Sequence, residues 1–297
     1  MPINLDGRVA IVTGAGRGLG RAHALALAGH GARVVVNELA DNDVAAEIEA
    51  QGGEAMASAA NVADAEQVAE MVAQTLERWG RVDILINNAC ILRDKTFQKM
   101  SLDDFRLVMD IHLMGSVYCT KAVWETMREQ QFGRIVYTTS SSGLYGNFGQ
   151  SNYSAAKMAL VGLMNTLHLE GAKHGIRVNC LAPAAGTAMT DGLMPDDVFA
   201  LLSPESVSPG VVFLASDDAP SRVILCAGGG GFAVHRVFET MGVSLLPDKL
   251  SADGIADAWD AITNEDGMQS FQGGFEQTGK FALMAASALG IDITQQD

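Results

Sequence analysis

Short apolar runs alternate with longer segments whose apolar positions recur every three or four residues. The runs are Arg8-Val-Ala-Ile-Val-Thr13, Arg33-Val-Val-Val-Asn37, residues 54–60, Val82–Ala89, Arg134-Ile-Val-Tyr-Thr-Thr-Ser140, Arg177-Val-Asn-Cys-Leu-Ala182 and Val223-Ile-Leu-Cys226. Their length and β-branched content predict buried strands. The intervening segments predict helices: an Ala/Leu-rich one ending near Gly31, then Asp43–Gln51, Asp64–Gly80, Ser101–Asp110, Gly115–Gln130 and Asn152–His174. Strand and helix alternating in this way require a parallel, doubly wound α/β sheet with right-handed crossovers. Two further helices are expected beyond it. The first is a capped one, Ser251–Ile262; the second, Phe275–Leu289, is too apolar to be left in water. We therefore expect one large α/β domain over 1–247, with a C-terminal helical extension over 248–297 packed on that domain or on a partner subunit.

Between the first strand and first helix lies Thr13-Gly14-Ala-Gly16-Arg17-Gly18-Leu19-Gly20. Strand, glycine loop, helix is the architecture of a phosphate cradle: glycines admit close backbone approach, and the helix start offers free N–H groups and a positive dipole end. The spacing is Thr-Gly-x-x-x-Gly-x-Gly, not Gly-x-Gly-x-x-Gly. The sheet is accordingly read as Rossmann-type and the loop as the seat of a dinucleotide. Glu38, at the end of the second strand, can accept hydrogen bonds from an adenosine ribose and would repel a 2′-phosphate, which favours NAD over NADP. Arg17, inside the loop, pulls the other way. Asn61-Val62 and Asn87-Asn88-Ala89 also follow strands and fall on the same sheet edge; the first pair is read either as an adenine contact or as hydrogen bonding at the sheet end.

Composition narrows the partners. A net charge of −15 argues against nucleic acid or an anionic membrane surface. No apolar stretch approaches the roughly 20 residues a spanning helix needs. Neither a signal peptide nor a peroxisomal address is visible at the ends, so a cytoplasmic location is expected. The four cysteines, Cys90, Cys119, Cys180 and Cys226, are widely spaced, as are the six histidines, so reduced thiols and no metal site are expected.

The chemistry centres on Ser140, at the end of a strand, and on Tyr153 and Lys157, which share one face of the next helix. A phenol titrates near ~10, and a neighbouring ammonium favours its charged form, moving it towards useful base strength. Thr13-Gly14-x-x-x-Gly18-x-Gly20, Asn87-Asn88-Ala89, Ser140 and Tyr153-x-x-x-Lys157 together resemble the short-chain dehydrogenase/reductase family across residues 8 to 190. Ser142–Lys157, Ile91-Leu-Arg-Asp94, Ile111–Gly115, Met189-Thr190, Met194-Pro195 and the tail beyond Gly228 further resemble the dehydrogenase unit of the type 2 peroxisomal multifunctional enzymes, without their hydratase and sterol-carrier parts.

The resemblance implies NAD-dependent, reversible oxidation of a secondary alcohol to a ketone, foremost a (3R)-3-hydroxyacyl-CoA thioester. A 17β-hydroxysteroid or a sterol side-chain acyl-CoA is the alternative, and a non-catalytic dinucleotide-binding protein the remote one. It implies Tyr153 as acid/base, Lys157 depressing its pKa and binding the nicotinamide ribose, Ser140 orienting the substrate oxygen, and His112 at the position of the usual tetrad asparagine. Asn88, Ala89, Pro183 and Thr187 or Thr190 would complete the cofactor site.

Cys90 and Ala184 stand where the family has glycine, and the loop to Thr190 is one residue short. Asn147, Phe148 and Gln150 either line the substrate cleft or form a structural loop. Arg93, Lys95 and Lys99 form either a site for a CoA phosphate or a solvated face. A homodimer is expected over a tetramer.

Overall fold

The computed structural model describes residues 2–187 and 195–293. Residues Met1–His235 form one compact unit and Arg236–Asp297 a second, so the expected boundary at 248 falls inside the second unit.

The first unit is built on β1 (Val9–Thr13), β2 (Arg33–Asn37), β3 (Ala55–Ser58), β4 (Ile84–Asn87), β5 (Gly133–Thr138), β6 (Ile176–Pro183), β7 (Ile224–Gly228) and β8 (Gly231–His235). The sheet order is β3-β2-β1-β4-β5-β6-β7-β8. The first seven strands are parallel in register, for example Ile11 with Val35 and Leu85. The chain order therefore reverses between β1 and β4, which opens a crevice at their carboxyl ends.

Alternate residues of each strand face opposite sides. Ala10, Val12, Val34, Val36, Ile84, Ile86 and Val136 enter one buried cluster with Ala24 and Leu27 of α1 (Gly18–Gly29) and Val211 and Leu214 of α9 (Ser208–Ala215). Ile11, Val35, Leu85, Ile135 and Tyr137 enter the other. There they meet Val68 and Met71 of α3 (Ala65–Trp79), Val123 and Met127 of α5 (Gly115–Gln130), and Leu160 and Met164 of α7 (Ser151–Gly171). Each Val, Leu, Ile or Met among these contributes about 1.5–3 kcal/mol on burial. Burial on both faces explains why the runs are wholly apolar rather than alternating.

Strand and helix placement follows expectation through β7, apart from α9 and a short helix over Asp196–Leu201, neither of which was expected, and from three further departures. First, β8 is antiparallel to β7, and the sheet is therefore mixed. Gly229 and Gly230 carry φ of +55° and +78°, the conformation of a two-residue hairpin turn. Second, the expected break between the helices around residues 101–110 and 115–130 is a single π-helical turn, Asp110–Met114, joining α4 (Leu102–Met109) to α5. Third, a short helix, α6 (Ser141–Tyr145), follows Ser140.

In the second unit the expected helix Ser251–Ile262 is two pieces, α10 (Ala252–Asp257) and α11 (Trp259–Ile262), and α12 spans Gly274–Leu289. Lys280 of α12 pairs with Glu239 at 2.8 Å, and Thr240 donates to the Ile262 carbonyl.

Candidate active site

The glycine loop is held by the end of β4. Thr13 Oγ1 accepts the N–H groups of Asn88 and Ala89, each at 3.0 Å, while the Asn88 amide donates to the carbonyls of Thr13 and Gly14 at 3.0 and 3.1 Å. Gly14 has φ +63°, and a Cβ there would lie 2.8 Å from Ala89 Cα, so the loop and the strand end close only around glycine. The Asn88 side chain is thus engaged in shaping the cradle.

Glu38 leans over the loop. Its Oε2 accepts from Gly16 N–H at 3.3 Å and its Oε1 from Leu39 N–H at 3.0 Å, and a Cβ on Gly16 would meet Glu38 Cγ at 2.6 Å. Arg17 is exposed, and Leu19 packs on the core below. Thr187 reaches the loop from the other side, its methyl 3.5 Å from where a Gly18 Cβ would sit. Pro183 ends β6. Asn61 Oδ1 accepts from Ala63 N–H, and Val62 is buried against Gly115. Thr190 lies outside the described residues, as do Met189 and Met194.

Tyr153, Lys157, Ser140 and His112 come together. Tyr153 is in the first turn of α7, with the His112 ring edge-on at 5.3 Å between centroids and Lys157 Nζ 5.6 Å from its ring centre. Ser140 caps α6 by accepting Ser142 N–H at 3.2 Å, and its hydroxyl lies close enough to the Tyr153 phenol to favour the phenolate. Lys157 is 1% exposed and donates to the Thr138 carbonyl at 2.6 Å, while the Thr139 hydroxyl donates to the Lys157 carbonyl at 2.7 Å. Thr138 and Thr139 carry no sequence motif of their own. Their signal is position, in the last residues before Ser140.

The electrostatics correct one expectation. Lys157 was expected to bring the phenol down, yet Tyr153 is pushed up, chiefly by burial and then by its neighbours Cys90 and Asp94, with the Ser140 hydroxyl opposing. The ammonium itself is disfavoured by burial and is engaged with the Thr138 carbonyl. Desolvation outweighs a single nearby cation. His112 is held well below the ordinary range by burial and by Lys157, and is neutral. Its Nε2 sits 3.0 Å from both the N–H and the carbonyl of Ile91, and its own carbonyl accepts from Ser116. The segment after β4 thus holds the glycine loop through Asn88 and Ala89 on one side and His112 through Ile91 on the other.

Of the expected substrate residues, Asn147 and Phe148 are exposed, whereas Gln150 is 8% exposed with both ends of its amide used. Arg93 and Lys95 converge on Asp104 at 3.8 and 2.9 Å, which neutralises part of the basic cluster and favours its reading as a solvated face.

A dinucleotide cradle thus adjoins a Ser/Tyr/Lys cluster, and the short chain dehydrogenase family profile matches residues 8–197. The chain belongs to the short-chain dehydrogenases. It is 42% identical over 279 residues to the peroxisomal multifunctional enzyme type 2 of Drosophila melanogaster, covering 88% of this chain and 46% of that enzyme. The solved structure of the full-length fly enzyme superposes with a TM-score of 0.84 at 36% identity, over 97% of this chain and 51% of that one. The chain therefore spans about half the length of this relative. A hydroxy(phenyl)methylsuccinyl-CoA dehydrogenase subunit of Thauera aromatica is 36% identical, covering 76% of this chain and 98% of that protein. A 7α-hydroxysteroid dehydrogenase solved with NADH and 7-oxo glycochenodeoxycholic acid matches with a TM-score of 0.71 at 30% identity, over 77% of this chain and 95% of that one. As a short-chain dehydrogenase, the chain is an oxidoreductase acting on CH–OH groups.

Proposed function

We propose that this short-chain dehydrogenase oxidises a (3R)-3-hydroxyacyl-CoA thioester to the 3-oxoacyl-CoA, reversibly, with NAD. The convergence of Ser140, Tyr153 and Lys157 beside the glycine cradle carries the reading. The similarity to the multifunctional enzyme and to a CoA-thioester dehydrogenase supports the substrate class. The residues fit a dinucleotide: glycine at Gly14 and Gly16 leaves the loop free of side chains, and Glu38 stands where a ribose diol would meet it. The Glu38 carboxylate favours NAD, since a 2′-phosphate would meet like charge.

The chemistry supplied by a bound nicotinamide is acceptance of the hydride from the carbinol carbon. Ser140 orients the substrate oxygen, and Tyr153 as phenolate takes the hydroxyl proton, which leaves a carbonyl. In reduction Tyr153 returns that proton as a phenol. Burial favours the phenol, so the resting site is poised as an acid, and oxidation requires the Tyr153 proton to leave first. Lys157 would stabilise the phenolate once formed and would hold the nicotinamide ribose by hydrogen bonding. Neutral His112 packs edge-on against the Tyr153 ring and limits its tilt.

Oxidation of 17β-hydroxysteroids or a sterol side-chain acyl-CoA is the second reading, favoured by the likeness to a hydroxysteroid dehydrogenase. NAD reduction against (3R)- and (3S)-hydroxyacyl-CoA esters and 17β-hydroxysteroids separates the two. Turnover confined to the (3R) esters is expected; equal rates on both epimers, or none on any CoA ester, would defeat the proposal. Tyr153→Phe should fall below a hundredth of wild-type turnover, and a variant above that level removes Tyr153 from the role assigned.

A further inference from the structure

Helix α7 carries Tyr153 in its first turn, and no side chain caps its start. An uncapped first turn frays easily, since its N–H groups lack intrahelical partners. Here the turn is tied to the segment that follows β4. Gln150 Nε2 donates to Asp94 Oδ2 at 2.6 Å, Asn152 Nδ2 to the Arg93 carbonyl at 3.1 Å, and Lys95 N–H to the Gly149 carbonyl at 2.9 Å. Asn147 Nδ2 donates to Gln150 Oε1 at 3.0 Å, which fixes the amide so that its donor end must face Asp94. Asn152 Oδ1 in turn accepts Tyr153 N–H at 2.7 Å.

We propose that Asp94 and Gln150 form a clasp that positions Tyr153 for proton transfer, with Gln150 acting through the helix start and not as a substrate contact. The proposal rests on Tyr153 as the proton-transfer group of the CH–OH oxidoreductase and holds whichever secondary alcohol is the substrate. A charge-assisted bond at 2.6 Å is the strongest of the three ties, and it alone depends on two side chains. Its carboxylate adds a second consequence. The groups facing Tyr153 are Cys90 and Asp94 after β4, Ser140 after β5, His112 on the π turn and Lys157 on α7 itself. Of these, Asp94 is the one carboxylate, and it opposes phenolate formation.

Gln150→Ala, Asp94→Ala and Asp94→Asn test the clasp with any alcohol the wild type turns over. Gln150→Ala and Asp94→Ala should each lower kcat by about ten- to a hundredfold, as expected for a displaced reacting group, and leave the KM for the dinucleotide unchanged. The double variant should be no worse than either single one. Asp94→Asn keeps an acceptor for the Gln150 amide and should retain plateau kcat while its oxidation pH profile moves down, most at low ionic strength.

Ultraviolet titration of the tyrosines reads the same downward shift without turnover, in the one ionisation that Tyr153→Phe removes. A failure of the substrate assignment therefore leaves this arm intact. A raised alcohol KM with unchanged kcat in Gln150→Ala would make Gln150 a substrate contact and overturn the proposal. Additive effects, or an unmoved tyrosine titration in Asp94→Asn, would equally overturn it.

Discussion

Replacing Glu38 should exchange the cofactor preference. The Glu38 carboxylate sits over the glycine loop on Gly16 N–H at 3.3 Å and Leu39 N–H at 3.0 Å, at the end of β2. A carboxylate accepting from a ribose hydroxyl contributes about 1.5–3 kcal/mol, so its loss raises the KM for NAD by roughly ten- to a hundredfold. The opposite effect acts on NADP. A unit charge about 4 Å from each negative charge of a 2′-phosphate costs up to about 4 kcal/mol at an effective dielectric near 20, and solvent and salt reduce this. Even a third of that figure is worth another tenfold. Glu38→Ala should therefore lower the NAD-to-NADP ratio of kcat/KM by about a hundredfold or more, while Glu38→Gln, which keeps a neutral acceptor for the ribose and the loop, should lower it by about tenfold or more.

Steady-state kinetics with both cofactors on one alcohol measures the ratio. A loop that merely loosened would weaken both cofactors together and lower Tm. Improved NADP use with an unchanged Tm is the signature of charge. A ratio changed by less than about threefold would refute the reasoning and shift the choice of cofactor to Arg17.

Because burial holds Tyr153 as a phenol, oxidation kcat should climb with pH through neutrality and above, while ketone reduction should fall over the same range; parallel profiles would refute this assignment. His23 is fully buried, with Nδ1 2.9 Å from Ser208 Oγ and its pKa lowered to about 3. The unfolded chain therefore binds a proton that the folded chain refuses. Stability present above the ordinary histidine value drains away by about 1.4 kcal/mol per pH unit as pH falls towards about 3. His23→Leu should flatten that limb of a Tm-against-pH curve, and an identical slope between about pH 4 and pH 6 would exclude His23 as its source. Thr139→Val removes a buried bond to the Lys157 carbonyl and should cost about 1–3 kcal/mol in denaturant unfolding, with a smaller kcat.

Legibility in this chain followed the range of the interaction. The central strands could be placed because each is buried on both faces, and that demand is written residue by residue into runs such as Val34-Val-Val36; β3, at the sheet edge, is only partly buried. The glycine loop and Tyr153-x-x-x-Lys157 were legible because one turn of backbone or helix contains each of them. The hairpin into β8 was not predicted: Gly228-Gly-Gly-Gly231 marks a turn, but four glycines do not fix the direction in which Phe232-Ala-Val234 leaves it.

What the chain order hides is anything that depends on distant partners. Gln150 and Asp94 lie 56 positions apart and are ordinary polar residues, so nothing local marks either as half of a clasp. The Asn88 amide could have faced a ligand. Only the fold turns it back onto Thr13 and Gly14, 75 and 74 positions away. The direction of the Tyr153 shift belongs to the same class: spacing shows that a lysine is near, but desolvation is a property of everything packed around the ring. A Tyr/Lys pair read from spacing therefore marks the place where we propose that the proton moves. Which way the resting site leans is decided by burial, by Cys90 and by Asp94, and here it leans towards the acid.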